Sequence, residues 1–255
     1  MSGSSLKGKT IASLSTLFPH YGVNRRRNGL LSRLDRTELR RLNRQLRPLA
    51  LGFGETLCEP HTAFKSVFFP ETGVISLLVV LDQGGVIETG MVGNEGMAGL
   101  PAFFGMPSAP WRAVCQVPSN GFTLSVEALT RERKRGGLFN QLLLRYAHAT
   151  VAMVSQSAAC NRVHSVEERL SRWLLMTHDR VDGDELALTQ KFLAMMLGVH
   201  RPSVNVAGAA LQKAGLIKYT RGRITVTDRS GLERTACECY RKVKEEFARV
   251  LRAQR

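Results

Sequence analysis

The spacing of apolar positions changes character several times along this 255-residue chain. Between residues 30 and 49, Leu31, Leu34, Leu39, Leu42 and Leu46 recur at roughly helical spacing with arginines between them. Pro48 ends that pattern, which predicts an opening helix. Short β-type runs follow at 64–69, 74–81, 86–92, 112–117 and 122–126, separated by the turn signals "PETG", "DQGG", "GNEG" and "PSNG". Strands at this spacing predict a small antiparallel barrel or jelly roll.

The period then lengthens. From 138 to 161 there is neither Gly nor Pro, and two stripes run at three-to-four spacing. One is Phe139, Leu143, Tyr146, Thr150, Met153, Ser157 and Cys160; the other is Leu144, Ala147, Val151, Val154 and Ala158. A helix of about 24 residues is ~36 Å long, more than a small barrel can cover. One stripe can rest on the barrel while the other meets a second copy of the helix. The dimer seam is assigned to Leu143, Tyr146, Thr150, Met153 and Ser157; one broad buried face inside a single chain is the alternative reading. A second helix starts at the capping box Ser165-Val166-Glu167-Glu168, with Leu170, Trp173, Leu174 and Met176 as its buried face.

The stretch "LGVHRPSVNV" (197–206) carries a glycine and a proline four apart between helical patterns. Thr189 suits the N-cap of a helix over 190–197, and Gly198 can supply a left-handed turn. Pro202 falls in the first turn of the next helix, where its missing N–H costs nothing. Gly215 follows that helix as a C-cap candidate. This reads as helix-turn-helix. Residues 216–219 and 224–227 then alternate about Thr220-Arg221-Gly222-Arg223, a hairpin with two arginines at its tip. Asp228 is placed to cap a last amphipathic helix over 232–251.

In such a unit the start of the second helix faces the major groove. That assigns base contacts to His200, Arg201, Ser203 and Asn205. Arg201 can fork onto guanine O6/N7, and Asn205 can pair with adenine. Thr189, Gln190 and Lys191 at the first helix, with Arg221 and Arg223 on the hairpin, are assigned to phosphate.

The order of β-barrel, long helix, capped helix, "LTQKFLAMMLGVHRPSVNVAGAALQKAGLIKY" and "RGRITV" resembles the Crp/Fnr superfamily of bacterial transcription regulators, over residues 28 to about 250. The resemblance implies an α+β chain: an N-terminal antiparallel jelly roll of cyclic-nucleotide-binding type, a dimerisation helix and a C-terminal winged helix-turn-helix. The implied segments are a basic tail (1–27), a sensor barrel (28–132), a dimer helix (133–163) and a DNA-binding domain (164–255). It implies a homodimer on palindromic promoter DNA, with RNA polymerase as a further partner. Pro202 and Val206 depart from cyclic-AMP-responsive members, which carry an acidic residue and a second arginine there, so the target sequence is expected to differ.

Charge agrees with a polyanionic partner. The net charge is +15, and it is unevenly spread. Residues 1–47 carry 11 Lys/Arg against 2 Asp/Glu, whereas residues 48–131 carry 3 against 7. The longest apolar run, 74–81, is too short for a membrane span, and no signal peptide pattern opens the chain, so a cytoplasmic protein is expected.

The barrel's chemistry is less complete. Cyclic-nucleotide binders of the superfamily use Gly-Glu for ribose and Arg-Ser for the cyclic phosphate. The candidate effector pocket here is Glu95, Gly99, Leu100, Arg112 and Ala113, with Leu100 in the Glu position and Ala113 in place of Ser. Cyclic nucleotide is therefore not expected. An N-terminal cysteine cluster for iron–sulfur is missing, Cys58 being the first cysteine, and haem has only His61 or Cys58 as ligands; neither cofactor is expected. Cys237 and Cys239 are the only close pair, and on one helix they point about 200° apart, too far to grip one metal. No metal or catalytic residues are assigned. The six histidines lack the His-x-His of a metal-dependent jelly-roll (cupin-like) enzyme. A protein-interaction scaffold is the other alternative, and the arginine-tipped hairpin weighs against it.

Overall fold

A computed structural model describes residues 26–252. Most of the expected basic tail lies outside these residues. Its last two arginines are packed, Arg26 with its guanidinium 3.8 Å from the Phe122 ring centre and Arg27 paired with Asp182.

Residues 30–49 do not form one helix. The leucine pattern is shared by a 3-10 turn at Leu31–Arg33, helix α1 (Arg36–Asn43) and strand β1 (Arg47–Leu51). Asp35 starts α1 by accepting the Glu38 N–H at 2.8 Å. Pro48, expected to end a helix, lies in β1 instead. That strand is at a sheet edge, where proline is tolerated.

The barrel continues with β2 (Thr56–Cys58), β3 (Ser66–Pro70), β4 (Val74–Val80), β5 (Val86–Val92), the short α2 (Leu100–Phe103), β6 (Arg112–Val117) and β7 (Ser119–Ser125). Two antiparallel sheets result, ordered β1-β7-β3 and β2-β6-β4-β5. The "PSNG" stretch is not a free turn: Pro118 is the corner where the chain leaves one sheet, and Ser119 to Gly121 already pair with β1. Leu51, Phe68, Ile75, Val92, Ala113 and Cys115 fill the space between the sheets. In β3 the neighbours Val67 and Phe69 are buried as well, in the larger core beneath the helices.

Helix α3 (Val126–Arg135) follows, so the expected boundary at 132/133 falls inside it. The chain breaks at Gly136 and Gly137, both at positive φ, a conformation that glycine adopts without strain. Helix α4 (Gly137–Val163) then runs for 27 residues. Its two stripes have opposite fates. Leu143, Tyr146, Met153 and Ser157 are buried in the chain's own core and Thr150 is partly buried. The assignment of these residues to a dimer seam is thus incorrect: Tyr146, for example, is 2% exposed and donates its hydroxyl to the Met97 carbonyl at 3.2 Å. The second stripe is the one left uncovered. Leu144 and Val151 are 51% and 66% exposed, and Val154 and Ala158 are exposed beside them, with Ala147 buried between.

Helix α5 (Val166–His178) begins at the expected capping box, with both reciprocal bonds present. The C-terminal unit adds β8 (Glu185–Leu186), α6 (Gln190–Leu197), α7 (Arg201–Lys213), β9 (Ile217–Thr220), β10 (Arg223–Val226), α8 (Arg229–Thr235) and α9 (Cys239–Leu251). The expected single last helix is in fact two. Ala236 is extended, at φ −66° and ψ 146°, and Cys237 and Glu238 lie between the helices. No described helix is long and apolar enough to cross a membrane.

Candidate DNA-binding surface and its links to the barrel

The turn between α6 and α7 is built by three local devices. The Thr189 hydroxyl accepts the Phe192 N–H at 3.2 Å and so caps α6. Gly198 takes the left-handed conformation (φ 61°, ψ 41°), and the Val199 N–H returns to the Ala194 carbonyl at 3.0 Å, closing the Schellman loop. His200 is extended and starts α7, with Pro202 in its first turn. Buried Arg169 of α5 donates to the Leu197 carbonyl, satisfying the end of α6 from below.

Helix α7 buries Val204, Ala207, Gly208 and Leu211. That face fixes the rest of the helix: His200, Arg201, Pro202, Asn205 and Val206 are exposed and Ser203 is partly so. Of the four residues assigned to bases, three therefore reach solvent freely. Among those assigned to phosphate, Thr189, Lys191, Arg221 and Arg223 are exposed and Gln190 is partly buried. Arg201 Nη2 lies 3.5 Å from Gln190 Oε1, joining the starts of both helices. A Cβ at Gly222 would stand 3.5 Å from the Thr189 methyl, so the hairpin tip adjoins the start of α6. Arg221 and Gly222 both have positive φ (46° and 80°), as a tight two-residue hairpin turn requires. Arg223 is held by Glu185 of β8, a third strand beside the hairpin that the sequence pattern did not reveal.

The effector-pocket residues are not gathered into one ligand cradle. Glu95 is taken by Arg180, whose Nη2 lies 2.8 Å from its carboxylate. Arg112 pairs with Glu59 at 2.8 Å. Gly99, at φ 97°, precedes α2, whose first residue Leu100 is partly buried, and Ala113 is buried between the sheets. The Glu95–Arg180 pair instead ties the barrel to the segment after α5.

A second polar link had no sequence signal. Glu88 of β5 accepts from the Trp173 indole N–H at 3.1 Å and the Ser76 hydroxyl at 2.7 Å. Arg172 and Arg180 face it as well. Burial outweighs these partners and pushes its carboxyl up to about 7. Folding therefore takes up a proton between pH 4.5 and about 7. The stability carried by the protonated form is complete at the acid end of that window and is lost as pH rises through about 7. Glu88→Gln is expected to flatten this dependence and to stabilise the chain at pH 8 by up to roughly 3 kcal/mol, the worth of the rise from 4.5 to about 7. Thermal melts of both proteins at pH 5 and pH 8 check it; parallel curves would remove Glu88 as the cause.

The helix-turn-helix and the β-hairpin beside it make a winged helix-turn-helix unit, joined by a long helix to an antiparallel barrel. Residues 168–235 match the family model of the Crp-like helix-turn-helix domain. No curated protein sequence matches the chain. Solved structures with this fold include a protein assigned to the Crp/Fnr regulators of Eubacterium rectale (19% identical, TM-score 0.64, covering 81% of this chain and 96% of that one). A CRP-family regulator from Thermus thermophilus gives 20%, 0.60, 74% and 96%, and FixK2 from Bradyrhizobium japonicum 15%, 0.65, 75% and 98%. Residues 168–235 are thus a Crp-like helix-turn-helix domain, in a chain that shares the fold of these solved structures.

Proposed function

We propose that the chain regulates transcription by binding palindromic promoter DNA as a homodimer. The observation that carries this reading is the start of α7, where Arg201 and Asn205 are exposed and Arg201 meets Gln190 of α6, while Lys191 on α6 and Arg221 and Arg223 on the adjoining hairpin are exposed as well. Arg201 and Asn205, with Ser203 and His200, read base edges, and Arg201 forks onto a guanine. Thr189, Gln190 and Lys191 meet the backbone from the N-terminus of α6, and Arg221 and Arg223 meet it from the wing. Pro202 and Val206 give apolar contact only, so the half-site differs from one read by charged side chains at those places.

Two copies join along the exposed stripe of α4. Leu144, Val151 and Ala158 repeat every seven residues, with Val154 between them, which is the spacing of a coiled-coil seam. The barrel acts on the DNA-binding domain through the Glu95–Arg180 and Glu88–Trp173 contacts, without cyclic AMP. RNA polymerase is the partner that converts promoter binding into regulation. An enzymatic or scaffold role has no comparable support.

Lys191→Ala separates positioning from readout. It is expected to weaken binding to every DNA sequence about equally and to reduce the dependence of log K on log salt by about one. Gel-shift titrations at several salt concentrations, on specific and scrambled DNA, measure this. A loss confined to one sequence would reassign Lys191 to base readout.

A further inference from the structure

The break at Ala236 has a chemical result. It frees Cys237 from the helical geometry that would have set it opposite Cys239, and both side chains turn toward the end of α4. There they meet Cys160 and His164, which are one helical turn apart in sequence. The three sulfurs and one imidazole nitrogen all lie within 4.8 Å of one another. Cys160 Sγ is 3.5 Å from Cys237 Sγ, and Cys239 Sγ is 3.6 Å from His164 Nδ1. The three cysteines form a small buried cluster of their own, and His164 is partly buried beside them.

From this juxtaposition we propose that Cys160, His164, Cys237 and Cys239 form a tetrahedral site for one divalent zinc-class cation, clamping the start of α9 to the end of α4. Three thiolates and one imidazole are a donor set that zinc takes in structural sites. Zn–S bonds of about 2.3 Å place tetrahedral sulfurs about 3.8 Å apart, close to the separations here. An iron–sulfur cluster sets several irons and sulfides between its cysteines and needs them spread more widely. The surrounding groups also suit an ion. Glu238 lies 3.2 Å from His164 Nε2, so a proton held there leaves Nδ1 free to face the sulfurs, the carboxylate–histidine–metal arrangement. Gln156 donates to Cys239 Sγ at 3.0 Å. On binding, each cysteine gives its thiol proton to solvent as its sulfur–metal bond forms.

Occupancy would fix the joint between the two parts of the chain. Cys160 and His164 end the long helix, whereas Cys237 and Cys239 belong to the DNA-binding unit, and Ser157 on the same helix already accepts from Arg172 of α5 at 3.0 Å.

The test uses the full chain, reduced, exposed to excess Zn(II), desalted and analysed for metal and acid-labile sulfide. Parallel samples are loaded with Co(II) and read by absorption. One zinc per chain without sulfide is expected, and cobalt should give the strong visible bands of a tetrahedral ion with thiolate-to-metal charge transfer. Cys160→Ser, Cys237→Ser and Cys239→Ser should each weaken binding at least 100-fold, and Glu238→Gln about 10–100-fold. Cys58→Ser and Cys115→Ser should retain the metal. The proposal is overturned by under 0.1 zinc per wild-type chain, by iron with sulfide in place of zinc, or by cobalt spectra that persist in the three cysteine variants. Zinc content and the cobalt spectrum are both read on the wild type, so they decide the matter even where a variant misfolds.

Discussion

Val151→Asp is expected to leave the chain folded but monomeric at micromolar concentration, and to weaken promoter binding by 100-fold or more. Val151 is 66% exposed in the single chain, so the carboxylate meets water and disturbs no internal packing. In the proposed dimer the same position faces its symmetry mate across the α4 seam. Two carboxylates there are both desolvated and mutually repelled. A monomer holds one half-site, and the linked second binding event that gives a dimer its affinity is lost. Light scattering and circular dichroism test the two halves of the statement together. Tyr146→Asp supplies the contrast: its side chain is buried and bonded to Met97, so it is expected to unfold the chain rather than dissociate it. A Val151→Asp protein that remains dimeric would move the interface elsewhere.

Arg201→Ala has the next largest expected effect, about 1–3 kcal/mol per half-site, with relaxed preference at one base pair. The guanidinium stands exposed at the start of α7, 3.5 Å from Gln190 Oε1 and within electrostatic reach of Tyr219, so little internal stability depends on it. The loss therefore falls on the complex. Arg201→Lys should recover charge but not the two-pronged contact, restoring general affinity more than selectivity. Equal losses on cognate and scrambled DNA would show that Arg201 touches phosphate only.

How legible the fold and the site are in the sequence depends on what each signal is made of. β5 takes its expected limits because Gly85 and Gly93 flank it, and β6 ends where expected because Pro118 follows it. The helix-turn-helix is equally legible, since Thr189 suits an N-cap, Gly198 admits a left-handed turn and Pro202 fits a helix only in its first turn. Periodicity alone does less well. On α4 it gives two stripes, and nothing in spacing says which of them the barrel covers. Tyr146, Met153 and Ser157, expected at the partner, are the chain's own core. After residue 42, leucines at helical intervals run on into a strand: Leu46 keeps the helical spacing from Leu42, whereas Leu49 and Leu51, two apart, already follow the strand period. The break at Ala236 carries neither Gly nor Pro. Hence the assumption of continuous helix sets Cys237 against Cys239 and conceals their meeting with Cys160 and His164. Links such as Glu88 to Trp173 and Glu95 to Arg180 join residues 85 apart, and one sequence cannot pair them.

The most direct test of the central claim is selection of bound duplexes from a random DNA pool by the purified full chain at physiological salt. The enriched sequences are predicted to be inverted repeats whose half-sites lie about one helical turn, or ~10 base pairs, apart, with enrichment lost in Arg201→Ala. A pool that shows no enriched sequence, or an enriched one that the Arg201→Ala protein selects equally well, would contradict the account.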